Sequence, residues 1–371
     1  MASSSRRRGP SDALTYLDSR LRGNDLLAAI WLLVAALALL LVAPAAAQSI
    51  AELAALKEPE RTQRLIEGAK KEGGLTLYTS FSTTDLGAFV GPFEKKYGIK
   101  VTHWRSSSEN VLQRAVNEAR AGRYEVDAFE TNGPELEALH REQILQVVES
   151  PHFAGLVPNA VRPHREWATT RFNLFVAAYN TNLVKQEELP KTWADLAHPR
   201  WKGRLGIEAY DHDWFAGVVG GLGEAQGLKL FREIVAANGM SVRKGHTLLS
   251  NLVVSGEVPL ALTVYYYRPV QLKGKGAPID WFALQPAVAR PNGVAVARRA
   301  PRPHAALLFY DFMLGDAQEI MVKRNFIPSS ARVLESLQDV PKFTLIDPKV
   351  VLDEGEKWLK LYEEIIVKPA R

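Results

Sequence analysis

LTLYTSFSTTDLGAFVGPFEKKYGIKVTHW, residues 75–104, gives the clearest indication of fold class in this sequence. Residues 75–79 are rich in β-forming side chains and predict a strand. Residues 83–97 carry apolar side chains at helical spacing, and Gly98 ends that helix. Residues 99–104 predict the next strand. A strand, a helix and a strand in succession indicate parallel neighbours in a sheet that helices cover.

The same alternation continues along the rest of the chain. Further strands are predicted at residues 126–129, 172–179, 205–208, 241–243, 259–264, 279–284 and 293–297, with helices between most of them. Two α/β halves joined by two crossing strands, at residues 172–180 and 280–285, fit this pattern. Open α/β sheets bind ligands beyond the carboxyl ends of their strands. The cleft is therefore predicted at the loops 80–83, 105–108, 130–133, 209–214, 244–247 and 265–267.

Composition excludes several classes of protein. The 371 residues include 46 basic and 41 acidic side chains, a net charge of +5 that is too small to predict nucleic-acid binding. The absence of cysteine excludes disulfides, iron–sulfur clusters, cysteine–zinc sites and a lipid-anchoring thiol. Sequence signatures of nucleophile elbows, zinc-binding helices, phosphate loops and dinucleotide folds are missing, so the sequence favours a binding protein over an enzyme.

The first 47 residues are predicted to be a targeting segment. Residues 26–42 form an unbroken apolar run, which follows five arginines and precedes Ala45, Ala46 and Ala47. This arrangement is typical of a secretory signal peptide cleaved after Ala47, with a retained membrane anchor as the alternative. We therefore expect an exported, untethered protein in the periplasm.

Hydroxyl and basic side chains at the predicted strand ends are candidate ligand contacts. Ser80 and Ser82 open one helix and could contact a ligand or simply cap the helix. Arg243, His246 and Thr247 join a strand to another helix, where they could bind an anion or lie on a solvated surface.

Three adjacent tyrosines, residues 265–267, follow a predicted strand. Phenols are hard oxygen donors that a strongly Lewis-acidic cation such as Fe³⁺ can ionise, although aromatic packing is the alternative. Asp211 and Asp213 follow another strand and could ligate a metal, cap a helix or serve an exported hydrolase.

The chain resembles the periplasmic solute-binding proteins of ABC importers, and among them the ferric-iron-type branch. The resemblance spans residues 61–330 and lies in five segments in order: GAKKEGGLTLYTS (68–80), FEKKYGIKV (93–101), LPKTWADLAHPRWKGRLGI (189–207), SGEVPLAL (255–262) and AALLFYDFMLGDAQEI (305–320). It implies an α/β, two-lobed type II periplasmic binding protein fold, with a ligand cleft between the lobes and two crossing strands.

The resemblance also implies site residues. The pair of tyrosines that holds iron falls on Tyr266 and Tyr267 when counted from the Gly256-Glu257 turn. A polar position at the preceding helix start falls on His246. The histidine of many iron binders falls on Ser82, and the glutamate after the third strand falls on Asn132.

These observations predict a receptor that closes around one small solute and delivers it to an inner-membrane ABC permease. Ferric iron or a ferric complex is the favoured cargo, with Tyr266, Tyr267 and Asp213 as metal ligands; a small organic anion is the alternative. No catalytic cofactor is expected, and a monomer is predicted. The predicted division is a signal peptide (1–47), lobe 1 (48–171 and 283–330), lobe 2 (172–282) and a C-terminal helical segment on lobe 2 (331–371).

Overall fold

The structure, a computed structural model, describes residues 49–337 and 340–368. The predicted signal peptide lies outside the described residues. Within these two ranges, every helix is too short or too polar to cross a membrane.

The amino-terminal part alternates helices with parallel strands, as the sequence predicts. Its elements are α1 (Ile50–Ala54), α2 (Glu60–Glu72), β1 (Gly74–Thr79), α3 (Thr83–Tyr97), β2 (Lys100–Arg105), α4 (Ser108–Arg120), β3 (Ala128–Asn132) and α5 (Gly133–Arg141). Strand β1 pairs in parallel with both β2 and β3. Helix α3 ends where Gly98 adopts a left-handed backbone, with φ of 73°, which costs glycine little.

The central part begins with a long strand and then resumes the alternation. Its elements are β4 (Trp167–Asn180), β5 (Leu205–Glu208), α6 (His212–Leu222), α7 (Glu224–Asn238), β6 (Ser241–Arg243), α8 (His246–Ser255), β7 (Leu260–Tyr265), α9 (Tyr267–Lys273), β8 (Ile279–Phe282) and β9 (Val288–Val296). The chain then adds α10 (Pro303–Leu314), α11 (Ala317–Lys323), β10 (Ile327–Pro328), α12 (Ala331–Leu334), β11 (Thr344–Leu345) and α13 (Pro348–Tyr362).

Two long strands, β4 and β9, connect the two halves of the sheet. The strand order is β2-β1-β3-β9-β4-β7-β5-β6. Strand β9 pairs antiparallel with β3 on one side and with β4 on the other, and the far end of β4 pairs with β7 and β8. The loops that follow strands of both halves therefore meet along β4 and β9.

The second crossing strand differs from the sequence prediction. Residues 280–285 were predicted to cross, but β8 in that region pairs with β4 and stops at Phe282. The crossing strand is β9, whose nine residues are all buried and are enough to reach both β3 and β4. The sequence pattern began this strand only at residue 293 and missed its first five residues, where an arginine and a proline interrupt the apolar run.

Glycine allows the close approach of β9 to its neighbours. A Cβ atom on Gly293 would lie 2.5 Å from the carbonyl oxygen of Ala168 and 2.8 Å from the ring of Trp167. Real Cβ atoms do not approach backbone oxygen so closely, so a larger residue would push β9 away from β4.

Each half of the sheet has its own apolar core. The amino-terminal core includes Phe89 and Phe93 of α3 packed with Phe309 of α10. A second core includes Phe215 of α6 and Phe231 of α7. Trp358 and Tyr362 of α13 belong to the second core, while Asp353 of the same helix pairs at 2.7 Å with Arg141 of α5. Helix α13 therefore contacts residues from both halves of the sheet.

Candidate functional site

A cavity of about 840 Å³ lies where the loops after the strands of both halves meet. All six loops that the sequence predicted for the cleft contribute to its lining. Arg171 and Asn173 of β4, together with Arg290 and Asn292 of β9, also line it. The crossing strands therefore form part of the binding surface, a contribution that the sequence analysis missed.

Most of the predicted site residues lie at this cavity. The lining includes Ser80, Ser82, Asn132, Asp213, His246, Thr247 and Tyr267. The structure does not place Arg243 or Tyr266 among the lining residues. Residues 80, 82 and 132 come from the amino-terminal half, whereas residues 213, 246, 247 and 267 come from the other half, so the cavity joins the two halves.

The tyrosine pair at the cavity differs from the predicted pair. Tyr265 and Tyr267 line the cavity, whereas the ring of Tyr266 packs edge-on against Trp281 at 4.8 Å between centroids. The reason is local backbone geometry: β7 ends at Tyr265, and Tyr266, the N-cap residue of α9, already has a helical backbone. Counting along the sequence from the Gly256-Glu257 turn could not show which side each ring takes.

Arg243 is also placed differently from the prediction. Its Nη2 atom lies 3.0 Å from Oε1 of Glu257 in a partly exposed ion pair. Strand β6 lies at the edge of the sheet, so the side chain of Arg243 contacts solvent and the Gly256-Glu257 turn and does not reach the cavity. The cationic side chains of the cavity are Arg105, Arg171, Lys244 and Arg290 instead.

Arg290 is the centre of a buried ionic network. Its Nε atom donates to Oδ2 of Asp213 at 2.5 Å, and its Nη1 atom donates to the phenol oxygen of Tyr265 at 2.6 Å. Its Nη2 atom lies 3.4 Å from Oδ1 of Asp211. Burial alone would raise the pKa of Asp213, but the charge and hydrogen bonds of Arg290 hold that pKa below its ordinary value. Asp213, predicted as a metal ligand, is thus already engaged by a cation.

A second buried arginine stabilises the opposite wall of the cavity. Arg171 pairs with Glu130, and its guanidinium lies over the ring of Phe81 at 3.9 Å from the centroid. On the same wall, Asn292 accepts a hydrogen bond from Asn173 at 2.7 Å and donates one to Asn132 at 2.9 Å.

The predicted hydroxyl contacts have partners within the protein. The Oγ atom of Ser80 accepts a hydrogen bond from Thr131 at 3.1 Å. The hydroxyl of Ser82 donates to Oδ2 of Asp85 at 2.5 Å. Ser82 occupies the N-cap position of α3, but its side chain makes no capping hydrogen bond to the helix backbone. Both serines border the cavity while bonded to neighbours.

A cluster of acids and one imidazole lies on the side of β5, β6 and β7. Three residues, Glu208, Asp211 and His246, each offer one ligand atom, and these three atoms lie within 4.8 Å of one another. Burial raises the pKa of Glu208, and the nearby charge of Asp211 raises it further. Burial lowers the pKa of His246, but Asp211 outweighs it, so the pKa of His246 lies above its ordinary value.

Glu135 is a cavity residue that the sequence analysis missed. It lies in the first turn of α5, and its Oε2 atom is shielded from solvent without a hydrogen-bond partner in the protein. Burial, assisted by the charge of Glu109, raises the pKa of Glu135 to about 8. A glutamate in the first turn of a helix usually indicates only a favourable interaction with the helix dipole. The sequence therefore offered no signal that Glu135 lines the cavity.

Replacing Glu135 by glutamine is expected to stabilise the ligand-free protein only above the ordinary pKa of a glutamate. The carboxyl ionises near its ordinary value of 4.5 in the unfolded chain but at about 8 in the folded one. The folded state therefore loses stability relative to the unfolded state as the pH rises between those values. We expect Glu135→Gln to raise the Tm by roughly 5–10 °C at about pH 8 and to leave it unchanged at about pH 4. An equal shift at both pH values in a thermal melt would contradict this account.

The interior of the cavity and its rim carry different sets of charged side chains. The buried or half-buried acids of the lining are Glu135, Glu208, Asp211 and Asp213, against the buried Arg171 and Arg290 and the half-buried His246. The exposed rim of the cavity carries Arg105, Lys244 and Glu109. The interior therefore has more carboxyl groups than cationic side chains, although the raised pKa of Glu135, about 8, keeps that carboxyl protonated at neutral pH.

Comparisons with known proteins agree with this architecture. The chain is 26% identical over 269 residues to iron uptake protein A1 of Synechocystis sp., covering 68% of this chain and 74% of that protein. It is 25% identical over 203 residues to the Fe(3+)-binding periplasmic protein of Serratia marcescens, covering 54% and 60%. The crystal structure of iron-bound HitA from Pseudomonas aeruginosa superposes with a TM-score of 0.66 at 22% identity, over 79% of this chain and 99% of HitA.

The structural likeness confirms the predicted two-lobed type II periplasmic binding protein fold. The bacterial extracellular solute-binding protein family matches residues 135–347, more than half of the chain. Its members are binding proteins, which confirms the prediction that this chain is not an enzyme. The chain therefore belongs to the bacterial extracellular solute-binding protein family.

Proposed function

We propose that this protein is the periplasmic receptor of an ABC importer and that its cargo is ferric iron or a ferric complex. The cavity lies between the two halves, so a bound solute can contact both of them and favour a closed state that a permease recognises. The names of the two sequence relatives, an iron uptake protein and a Fe(3+)-binding periplasmic protein, support the same cargo.

The observation that carries the proposal is a pair of carboxyl groups in the cavity interior, Glu135 and Asp211, that each have an oxygen shielded from solvent and without a hydrogen-bond partner. Buried carboxylates are costly unless a cation compensates them. Asp213 and Glu130 have arginine partners, but Glu135 and Asp211 each retain a shielded oxygen without a hydrogen bond. A small, highly charged cation would take these oxygens as ligands and displace the proton of Glu135, whereas an organic anion in the same place would be repelled by Asp211.

The phenols of Tyr265 and Tyr267 supply the hard oxygen donors that such a cation prefers. Burial and the charge of Asp85 raise the pKa of Tyr267 to about 12, so this phenol is protonated in the empty protein. Ferric iron can displace that proton, as bound cations do with other ligands. The exposed Arg105 and Lys244 at the rim could hold an anion that accompanies the iron.

Titration with ferric citrate tests this proposal. The processed chain should develop a visible absorption band from iron bound to tyrosinate, with saturation at one iron per chain. Citrate alone and a sugar phosphate serve as metal-free controls and should produce no thermal stabilisation. Stabilisation by a metal-free organic anion, without any iron band, would reject the ferric cargo and favour the organic-anion alternative.

A further inference from the structure

We propose that Glu208, Asp211 and His246 form a metal-ion site in the cavity, made of one imidazole and two carboxylates. This imidazole–carboxylate site takes first-row transition-metal ions, and it supplies the non-phenol ligands for the cargo. The inference deepens the proposed function and rests on it for the identity of that cargo.

The fold brings the three residues together from separate elements. Glu208 is the last residue of β5, Asp211 precedes α6, and His246 is the first residue of α8. Strands β5 and β6 are parallel neighbours, so the segments that follow them lie side by side. Their ligand atoms lie within 4.8 Å of one another, a spacing that a single ion could bridge.

The hydrogen bonding of His246 leaves one nitrogen for a metal. Its Nδ1 atom lies 3.2 Å from the carbonyl oxygen of Thr263, and a carbonyl can only accept. Nδ1 therefore carries a proton, and Nε2 faces Oδ1 of Asp211 at 3.3 Å. Two acceptor atoms at this distance need a cation between them, either a proton or a metal ion. A backbone carbonyl that orients the other ring nitrogen is the usual support of a metal-binding histidine.

Asp211 supplies an independent indication of a ligand. Its side chain is 1% exposed, yet its Oδ2 atom has no hydrogen-bond partner in the protein. Arg290 does not satisfy this oxygen, because its contact at 3.4 Å is with Oδ1 and its shorter bonds go to Asp213. A buried carboxylate oxygen without a partner is costly, and a bound cation would remove that cost.

Backbone hydrogen bonds hold the carboxylate of Glu208 in a position from which it can bind the same ion. It is 4% exposed, and its Oε1 atom accepts a hydrogen bond from the backbone nitrogen of Gly245 at 2.8 Å. Its Oε2 atom accepts one from the backbone nitrogen of Tyr210 at 2.5 Å. Each oxygen retains a second lone pair, so the backbone fixes the carboxylate without using all of its ligand capacity.

A similar cluster elsewhere provides a matched comparison. Glu137, His140 and His164 also lie within 4.8 Å of one another, but the two imidazoles stack face to face at 3.7 Å. Nδ1 of His164 accepts from the backbone nitrogen of Glu166 at 3.1 Å, so its Nε2 must carry the proton that faces Glu137. Neither nitrogen of His164 then offers a lone pair to an ion, and we expect no metal there.

Titration with Co²⁺ alone tests the inference in the full processed chain, because bound Co²⁺ has visible bands that report its ligands. We expect one Co²⁺ per chain, with affinity lowered at least about tenfold in His246→Gln and in the isosteric Asp211→Asn. His164→Gln, in the comparison cluster, should bind Co²⁺ as the unaltered chain does. Thermal melts establish that each variant is folded.

The outcomes separate this inference from the proposed function. Unchanged Co²⁺ affinity in both His246→Gln and Asp211→Asn, or no Co²⁺ binding by the unaltered chain, would overturn the metal site even if the ferric band is present. Co²⁺ binding that depends on His246, without any ferric band, would support the metal site and reject ferric iron as the cargo.

Discussion

Replacing Tyr267 by phenylalanine is expected to abolish most of the visible iron band and to weaken ferric binding at least about 100-fold, or about 2.7 kcal/mol. Tyr267 lies on the cavity lining, and the centroid of its ring is 6.1 Å from that of Tyr265 and 4.3 Å from that of Phe326. Phenylalanine keeps these ring contacts but offers no oxygen, so the fold is retained while a charged ligand is lost. Titration with ferric citrate, followed by absorbance, measures both effects.

Tyr266→Phe is the matched control for that experiment. It removes the same atom from the adjacent residue, but the ring of Tyr266 packs against Trp281 away from the cavity lining. We expect its ferric affinity to stay within a factor of about two of the unaltered chain. If Tyr266→Phe lost the band and Tyr267→Phe kept it, the originally predicted role of Tyr266 would be correct and the cavity-based assignment wrong.

The second large effect is expected at Arg290, whose loss should destabilise the empty protein by about 3–5 kcal/mol. Arg290→Met keeps much of the side-chain volume but removes the cation that compensates Asp213 and bonds to Tyr265. Buried acids without a partner are penalised far more than an exposed pair gains. Urea unfolding at neutral pH measures the change from the midpoint and slope.

Two further variants make this expectation specific. Arg243→Met removes a partly exposed arginine whose partner is Glu257, so it should cost less than about 1 kcal/mol. Adding Asp213→Asn to Arg290→Met should recover part of the lost stability, because one uncompensated acid is then removed. A loss below about 1 kcal/mol in Arg290→Met itself would show that the network contributes little.

The general plan of the fold was accessible from the sequence for physical reasons. Strand and helix patterns with different periods alternate from residue 75 onward, and parallel strands leave their following loops on one edge of the sheet. Ser80, Asn132 and His246 were therefore expected at one cleft, and all three line the cavity.

The interior of the site was not accessible in the same way. Arg171 and Arg290 lie within buried strands, where sequence patterns favour apolar residues, and their partners Glu130 and Asp213 are distant in sequence. Such pairing depends on which strands become neighbours, here β3, β4 and β9, and residue spacing carries no information about that.

Side-chain direction at element boundaries was the other missing part. The alternation of a strand ends at Tyr265, and the helical backbone of the next residue changes the rule that relates sequence position to side. The boundary had to be located to within one residue to tell which tyrosines line the cavity, and patterns locate boundaries less finely than that.

X-ray diffraction at the iron absorption edge, from crystals of the iron-loaded protein, would locate the bound cargo. We predict one anomalous peak inside the cavity, at bonding distance from the phenol oxygen of Tyr267. An iron peak away from that phenol, or a cavity filled by an organic anion on Arg105 and Lys244 without any iron peak, would contradict it.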